Sequence, residues 1–132
     1  MKKILLGLFI LFQTSVIGQE TQVSLSHSTD NTSFIELLIK DSESSIPHFV
    51  GVGFEVEENS GGDILYCIGG VQVLNRLQLQ VNLGYEVKSS IPNNTVLYYA
   101  NKVVLKIDNN ILIGFGFDNQ NRGLFTLGFE FD

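Results

Sequence analysis

The segment from Leu77 to Val87 alternates without interruption between apolar residues and residues that are polar or glycine. Successive side chains of a β-strand point to opposite faces, so the segment predicts a strand with one apolar and one polar face. The same alternation returns at Val50–Val56, at Phe125–Phe131 and, with Leu112 as the one exception, at Ile111–Asp118. Few environments favour so many strands with one apolar and one polar face in one short chain.

Residues 1–18 have the pattern of a secretory signal peptide. Lys2 and Lys3 form a basic start, the run Ile4–Phe12 is uncharged and mostly apolar, and Val16 and Gly18 suit the positions before a cleavage site. The run is too short for a membrane-spanning helix, which needs about 20 residues. We therefore expect export and a single domain over residues 19–132, rather than a buried N-terminal helix.

Composition after the signal peptide narrows the function classes. Without Lys2 and Lys3 the chain keeps six basic and fourteen acidic residues, which opposes nucleic-acid binding. Cys67 is the only cysteine, so no internal disulfide forms and no lipoprotein anchor follows the leader. No later apolar stretch is long enough for a transmembrane helix. A membrane role must use strands or a surface contact.

The rest of the chain predicts an all-β fold of about eight strands. Most connections are clusters of Asn, Asp, Ser, Gly or Pro, which favour turns. The first two strands carry the weakest pattern, and the run Phe34–Ile39 also suits a helix. The predicted strands are Thr21–His27, Ser33–Lys40, Phe49–Glu57, Asp63–Val73, Leu77–Val87, Thr95–Ile107, Ile111–Asp118 and Arg122–Phe131.

From the third strand onward, long and short connections roughly alternate, as in an up-and-down outer-membrane barrel. Asp41–Pro47 is longer and Asn119–Asn121 shorter than this rule expects. The long connections are Glu58–Gly62 and Lys88–Asn94, and the short ones are Leu74–Arg76 and Asp108–Asn110.

Glycine on the polar faces indicates which face lies inside. Gly51, Gly53, Gly114, Gly116 and Gly128 all occupy polar-face positions. Glycine weakens a solvent-facing strand, but it suits a narrow lumen that larger side chains would overfill. We therefore expect the polar face inside and the apolar face outside. Eleven residues at about 3.3 Å, tilted by about 45°, cover roughly the 25 Å apolar band of an outer-membrane barrel.

With its leader, its alternating strands and its last segment Gly123–Phe131, the chain resembles small bacterial outer-membrane β-barrel proteins of the eight-stranded, Gram-negative type. The resemblance implies an antiparallel transmembrane β-barrel in contact with outer-membrane lipid. It also implies recognition by the barrel assembly machinery, which reads a final strand of alternating apolar residues ending in an aromatic. Here Phe131 is followed by Asp132, which departs from that ending.

Six charged residues are predicted to line the lumen. Charges in a narrow interior must pair, because an unpaired buried charge is costly. A structural polar network is therefore the first interpretation, and a proton or ion path is the second. The six residues are Glu55, Glu86, Lys102, Lys106, Asp118 and Glu130.

The aromatic residues Tyr66, Tyr85, Tyr98, Tyr99 and Phe49 fit two interpretations equally. They suit the membrane–water boundary, where a tyrosine ring is apolar and its hydroxyl is wet, and they suit ordinary sheet packing.

No catalytic, cofactor or metal site is predicted. His27 and His48 lack metal-ligand spacing with any other residue, and neither has a serine two positions away, as a lipid-deacylating barrel would place it. The leading hypothesis is a non-enzymatic outer-membrane barrel with a structural, adhesive or loop-mediated binding role, not an open pore. The alternatives are an exported soluble β-barrel or sandwich that binds a ligand, in the periplasm or secreted, and a lipid-modifying barrel enzyme. A surface ligand is not identifiable from the sequence.

Overall fold

A computed structural model describes residues 20–43, 45–56, 62–88 and 95–131. The predicted signal peptide lies outside the described residues, as do most of the two predicted long loops. Every predicted strand is present, with ends within two residues of those expected. The strands are β1 Glu20–Ser28, β2 Ser33–Asp41, β3 His48–Glu55, β4 Gly62–Leu74, β5 Leu77–Lys88, β6 Thr95–Lys106, β7 Ile111–Asp118 and β8 Gly123–Phe131.

The eight strands form one closed barrel. Each strand pairs antiparallel with the next in sequence, and β1 pairs antiparallel with β8 through partners such as Thr21 and Phe131. The predicted all-β, up-and-down antiparallel barrel is thus confirmed. The helical alternative for Phe34–Ile39 is wrong, because this run is the middle of β2. Among the described residues no helix is long and apolar enough to cross a membrane.

The strands are staggered by eight residues around the barrel. A row of paired residues that starts at Glu20 returns to β1 at Ser28. A barrel of eight strands with this stagger has strands tilted by about 36° and a packed interior. The row passes through Glu20, Lys40, Phe49, Gly70, Gln80, Lys102, Gly116, Leu124 and Ser28.

On the strands with the clearest alternation the polar face is the inner face, as predicted. On β5, the side chains of Gln80 and Asn82 are 4% and 1% exposed. Those of Val81 and Leu83, which alternate with them along the strand, are 53% and 56% exposed. The same alternation of buried and exposed side chains runs along β6 and β8. The inner face of these strands is therefore polar and their outer face apolar, while β2 and β4 also contribute apolar residues such as Phe34 and Ile64 to the interior.

Inner-face glycine makes room for large inward side chains. A Cβ atom on Gly53 would lie 2.2 Å from a ring carbon of Tyr66, and one on Gly51 would lie 2.9 Å from Cγ of Leu38. Gly69, which faces outward, has open space around the same position. The glycine residues at positions 51 and 53 are therefore needed by the packing of side chains inside the barrel.

Candidate functional site

The candidate site is the barrel interior. All six residues predicted to line it lie on inward positions. Five are buried. The Lys106 side chain, at the end of the barrel where β1 begins and β8 ends, is 25% exposed. Two of them, Lys106 and Glu130, pair with one another. Lys102, Asp118 and Glu86 contact residues that the sequence did not single out.

Lys102 on β6 pairs with Glu36 on β2, which lies on the opposite side of the barrel. Both side chains are inaccessible to solvent. The Lys102 ammonium also donates to Ser26 Oγ at 3.2 Å and to Thr126 Oγ1 at 3.3 Å. One cation is thereby held by three strands besides its own.

The Glu36 carboxylate is fully hydrogen-bonded. The Tyr66 hydroxyl donates to Oε1 at 2.7 Å, Ser24 Oγ donates to Oε2 at 3.1 Å, and Asn82 Nδ2 lies 3.4 Å from Oε1. A buried ion pair is tolerated when further hydrogen bonds satisfy its remaining lone pairs and protons. The centre of the barrel meets that condition.

A cluster of three aromatic rings lies on the side of this pair towards the β1–β2 and β7–β8 turns. Ring centroids of Tyr66 and Tyr98 are 5.3 Å apart, those of Phe34 and Tyr66 are 5.8 Å apart, and those of Phe34 and Tyr98 are 6.1 Å apart. Phe34 lies on β2 and Tyr98 on β6, so this contact also crosses the full width of the lumen. Two stacked layers of side chains, one charged and one aromatic, thus bridge opposite walls.

The inward position of these rings decides between the two interpretations of the aromatic residues. Tyr66, Tyr98 and Phe49 are buried inside the barrel, whereas Tyr85 and Tyr99 are exposed on its outer face. A role at the outer boundary is therefore wrong for the first three, because their strand positions share the polar inner face.

The lower mouth, at the end where β1 begins and β8 ends, is closed by Glu130 and its donors. Lys106 Nζ and Gln22 Nε2 donate to the Glu130 carboxylate at 2.6 and 2.8 Å. Lys40 Nζ lies 3.6 Å from Glu130 and 3.0 Å from Glu20. Charges from β1, β2, β6 and β8 thus meet at this end.

The opposite mouth is held by Arg122 in the β7–β8 turn. Its Nε donates to Asp118 Oδ2 at 2.8 Å, and its Nη1 donates to Asp30 Oδ2 in the β1–β2 turn at 3.0 Å and to Thr32 Oγ1 at 3.3 Å. The guanidinium therefore links the two turns that flank the junction of the first and last strands.

The two turns share one geometry. Asn31 and Asn121 both have a positive φ, of 67° and 59°. Asparagine is among the few residues apart from glycine that adopt this region readily. In each turn the residue that ends the strand, Ser28 or Asp118, accepts a hydrogen bond from the backbone NH four residues later.

The Asp30–Arg122 contact shifts both ionisations. Partial burial opposes the charge of Asp30, but hydrogen bonds from Ser28, Thr32 and Arg122 outweigh it and hold the pKa of Asp30 at about 2. Burial likewise opposes the charge of Arg122, and its bonds to Asp30 and Asp118 raise its pKa above the ordinary value. Both groups remain charged near neutral pH.

Two of the acidic residues predicted to line the lumen lie nearer the mouth that Arg122 holds. Glu86 is buried on β5 and accepts a hydrogen bond from Gln120 of the β7–β8 turn. Glu55, at the end of β3, is 2% exposed. The partner of Glu86 comes from a turn, which the alternation of the sequence does not specify.

Neither histidine lies inside the barrel. His27 Nδ1 contacts Ser33 Oγ at 3.0 Å across the β1–β2 pair, a contact that spacing along the chain did not reveal. Both groups are on the outer face, and among the described residues no carboxylate contacts His27 to orient its ring, as an activated nucleophile requires. His48 lies 3.8 Å from Asp41 near the lower mouth.

Metal chemistry has no support in the described ranges. No group of three or more histidine, cysteine, aspartate or glutamate side chains there is placed to hold a metal ion.

No model of a protein family matches the chain, and no curated protein matches it in sequence. Solved structures are similar in fold. A structure from the de novo design of transmembrane β-barrels has a TM-score of 0.50 at 20% identity, covering 86% of this chain and 94% of that chain. At this identity the likeness concerns the fold alone.

Two further solved structures are similar to a lesser degree. The de novo designed protein TMB2.3 has a TM-score of 0.49 at 20% identity, covering 85% of this chain and 90% of that chain. Ail, the attachment invasion locus protein of Yersinia pestis, has a TM-score of 0.44 at 14% identity, covering 86% of this chain and 99% of that chain.

Proposed function

We propose that this chain is an integral outer-membrane β-barrel whose outer wall contacts lipid and whose sealed interior is structural. The observation that carries the proposal is the outer wall itself. Large apolar side chains are exposed on seven of the eight strands, with Phe117 at 74% and Leu65 at 63%. They include Leu25, Val50, Leu65, Val81, Val103, Phe115 and Leu127.

In water this wall would be an aggregation surface, because monomeric soluble proteins rarely expose contiguous apolar patches of that extent. In a bilayer it is the expected outer face of a barrel that is polar inside. This contrast favours membrane insertion over the alternative of an exported soluble barrel. That alternative requires the apolar face to be buried, and here the apolar residues of the alternating strands are exposed on the outer face.

The interior supports a non-conducting role. The pair Lys102–Glu36 and the contact Phe34–Tyr98 each bridge β2 and β6, which are opposite walls. An eight-stranded barrel is just wide enough for side chains to fill. A structural polar network is therefore preferred to an ion path, and we propose no enzymatic activity for the chain.

The remaining surface for a partner is the set of connections at the two mouths. We propose that binding or adhesion uses the mouth opposite the start of β1 and the end of β8, where the chain passes from β3 to β4 and from β5 to β6. The partners of the wall itself are outer-membrane lipid and, during insertion, the barrel assembly machinery. The outward row Phe125, Leu127, Phe129 and Phe131 on β8 supports the latter.

The test is expression of the full chain in a Gram-negative host, followed by membrane fractionation. We expect the protein in the outer membrane, retained after alkaline washing, and migrating differently on a gel before and after boiling. Release by the alkaline wash without detergent would support the soluble alternative instead.

A second measurement tests the sealed interior. The protein is purified from the membrane fraction and reconstituted into vesicles loaded with a small sugar, with protein-free vesicles as the control. We expect release no faster than in the control. Rapid release of the sugar would show an open pore and overturn the structural interpretation of the lumen.

A further inference from the structure

The apolar band of the outer wall is not of equal height around the barrel. On β5 all six outward residues are apolar, from Leu77 to Val87. On β1, only Val23 and Leu25 are apolar, and the outward positions on either side of them are Thr21 and His27. β1 and β5 are four strands apart in a barrel of eight, so they form opposite walls.

The stagger of the strands allows heights on the two walls to be compared. Each step around the barrel from β1 towards β8 raises a paired residue by about one residue along the axis, since eight steps raise Glu20 to Ser28. On this scale His27 of β1 and Leu83 of β5 lie at the same height. Thr21 and Leu77 likewise lie at the same height near the lower mouth.

The difference in height is large compared with a membrane. At a tilt of about 36°, each residue rises about 2.7 Å along the barrel axis. The apolar row of β5 then spans about 27 Å, close to the roughly 25 Å band of outer-membrane barrels. On β1 the two bounding polar residues are only about 16 Å apart on the same scale.

β2 continues this narrow side. The apolar residues at its outward positions are Ile35, Leu37 and Ile39, of which Leu37 is only 4% exposed, and they are bounded by Ser33 and Asp41. The polar residues that bound the two apolar rows from above contact one another, since His27 Nδ1 on β1 lies 3.0 Å from Ser33 Oγ on β2. β1 and β2 therefore both carry a shorter apolar row than β5, and polar residues lie above it.

Tilting of the whole barrel cannot remove the mismatch. Tilt moves the band up on one wall and down on the other, but it does not change the height of the band on either wall. A bilayer that meets too short an apolar surface becomes thinner locally, at modest cost. The difference between the height of the apolar row on β1 and the thickness of the bilayer therefore persists at any tilt of the barrel.

We infer that the bilayer is locally thinned beside β1 and β2, so that lipid headgroups and water reach His27 and Ser33, while Leu83 and Tyr99 on the opposite wall stay among acyl chains. The inference rests on the proposed membrane insertion. The partner is the lipid itself, which is compressed beside two of the eight strands.

The absence of tryptophan from the chain permits a direct test. Single variants His27→Trp and Leu83→Trp place one fluorophore at matched heights on opposite walls. A second matched pair is Ser33→Trp on β2 and Tyr99→Trp on β6, in case one substitution prevents folding. Each protein is purified from membranes and reconstituted into phosphatidylcholine vesicles with lipids brominated at mid-chain, and separately probed with aqueous iodide.

We expect bromine to quench the residue 83 fluorophore several-fold more strongly than the residue 27 fluorophore, and iodide to show the reverse order. Equal quenching of both by brominated chains would overturn the inference, because it indicates a bilayer of uniform thickness. Shielding of the residue 27 fluorophore from both quenchers would also overturn it, in favour of a protein surface covering the narrow side. If neither member of either pair is quenched by brominated lipid, membrane insertion itself fails, and the inference with it.

Discussion

The ammonium group of Lys102 meets the carboxylate of Glu36 at the centre of the barrel, although the two residues are 66 positions apart in the chain. Neither side chain has access to solvent. The pair joins opposite strands, and its remaining hydrogen-bonding groups are satisfied by Ser24, Ser26 and Tyr66. Sealing and charge neutralisation of the lumen therefore depend on the same contact.

Removing one member of this pair is expected to be severely destabilising. Lys102→Met leaves the Glu36 carboxylate buried without its cation, which costs about 3–5 kcal/mol in known cases. The double variant Lys102→Met/Glu36→Gln should recover much of that loss, because it leaves no uncompensated charge. Unfolding by urea from lipid vesicles measures all three free energies and gives the coupling of the two sites.

The matched control is Lys106→Met at the lower mouth. Its side chain is a quarter exposed, and Glu130 keeps Lys40 as a second cation. We expect a cost of about 1 kcal/mol or less, as for partly solvated ion pairs. Equal costs for the Lys102 and Lys106 variants would contradict the central role of the buried pair.

Replacing glycine by alanine should lower the stability of the barrel on its inner face and leave it unchanged on its outer face. Gly53→Ala places a Cβ atom 2.2 Å from the Tyr66 ring, whose hydroxyl is fixed by Glu36, so the ring must move. Overpacking of this kind costs about 1–3 kcal/mol. Gly69→Ala, in open space, should leave stability unchanged. The urea midpoints of the two variants in vesicles provide the comparison, and a loss at position 69 equal to that at position 53 would argue against the assigned facing.

The turn contact between Asp30 and Arg122 should make stability sensitive to acid. The folded-state pKa of Asp30 is about 2, below its ordinary value of 3.8, so its stabilisation is complete above about pH 4 and is lost as the pH falls towards 2. Asp30→Asn should lower stability at pH 6, and its difference from the unchanged protein should shrink by pH 2.5. Unfolding midpoints at both pH values measure this.

Asp108→Asn is the charge-matched control, because Asp108 lies in the β6–β7 turn at the other mouth, where it accepts a hydrogen bond from the backbone NH of Asn109. If the Asp30 variant keeps a constant difference from the unchanged protein at both pH values, the ionised Asp30 carboxylate, bonded to Ser28, Thr32 and Arg122, does not contribute in the way described.

The local pattern of the sequence was sufficient to predict the strands and their facing. Alternation in Leu77–Val87 and in Phe125–Phe131 is a property of neighbouring residues, and neighbouring residues alone decide which face a strand side chain takes. The same rule correctly placed all six predicted lumen charges on the inner face. It failed on β2, because Phe34 and Leu38 are apolar residues that point inward.

The contacts within the lumen were beyond the sequence. Glu36 was missed because it lies within the apolar run Phe34–Ile39, and Tyr66 and Tyr98 were compatible with the outer boundary as well as with packing. Which residues meet across a barrel depends on the stagger of eight residues, a property of the closed sheet and not of any one strand. A glycine opposite a large residue, such as Gly53 beside Tyr66, was the one signal of the inner aromatic cluster.

The most direct test of the central claim, that the apolar wall faces lipid, is the depth dependence of an arginine placed on that wall. Val81 lies near mid-height on β5, and Ile107 is exposed where β6 ends. In lipid vesicles we expect Val81→Arg to lower the free energy of unfolding by about 2–4 kcal/mol and Ile107→Arg by at most about 1 kcal/mol. Equal and small effects of both substitutions, with the protein folded in buffer without lipid or detergent, would contradict the account.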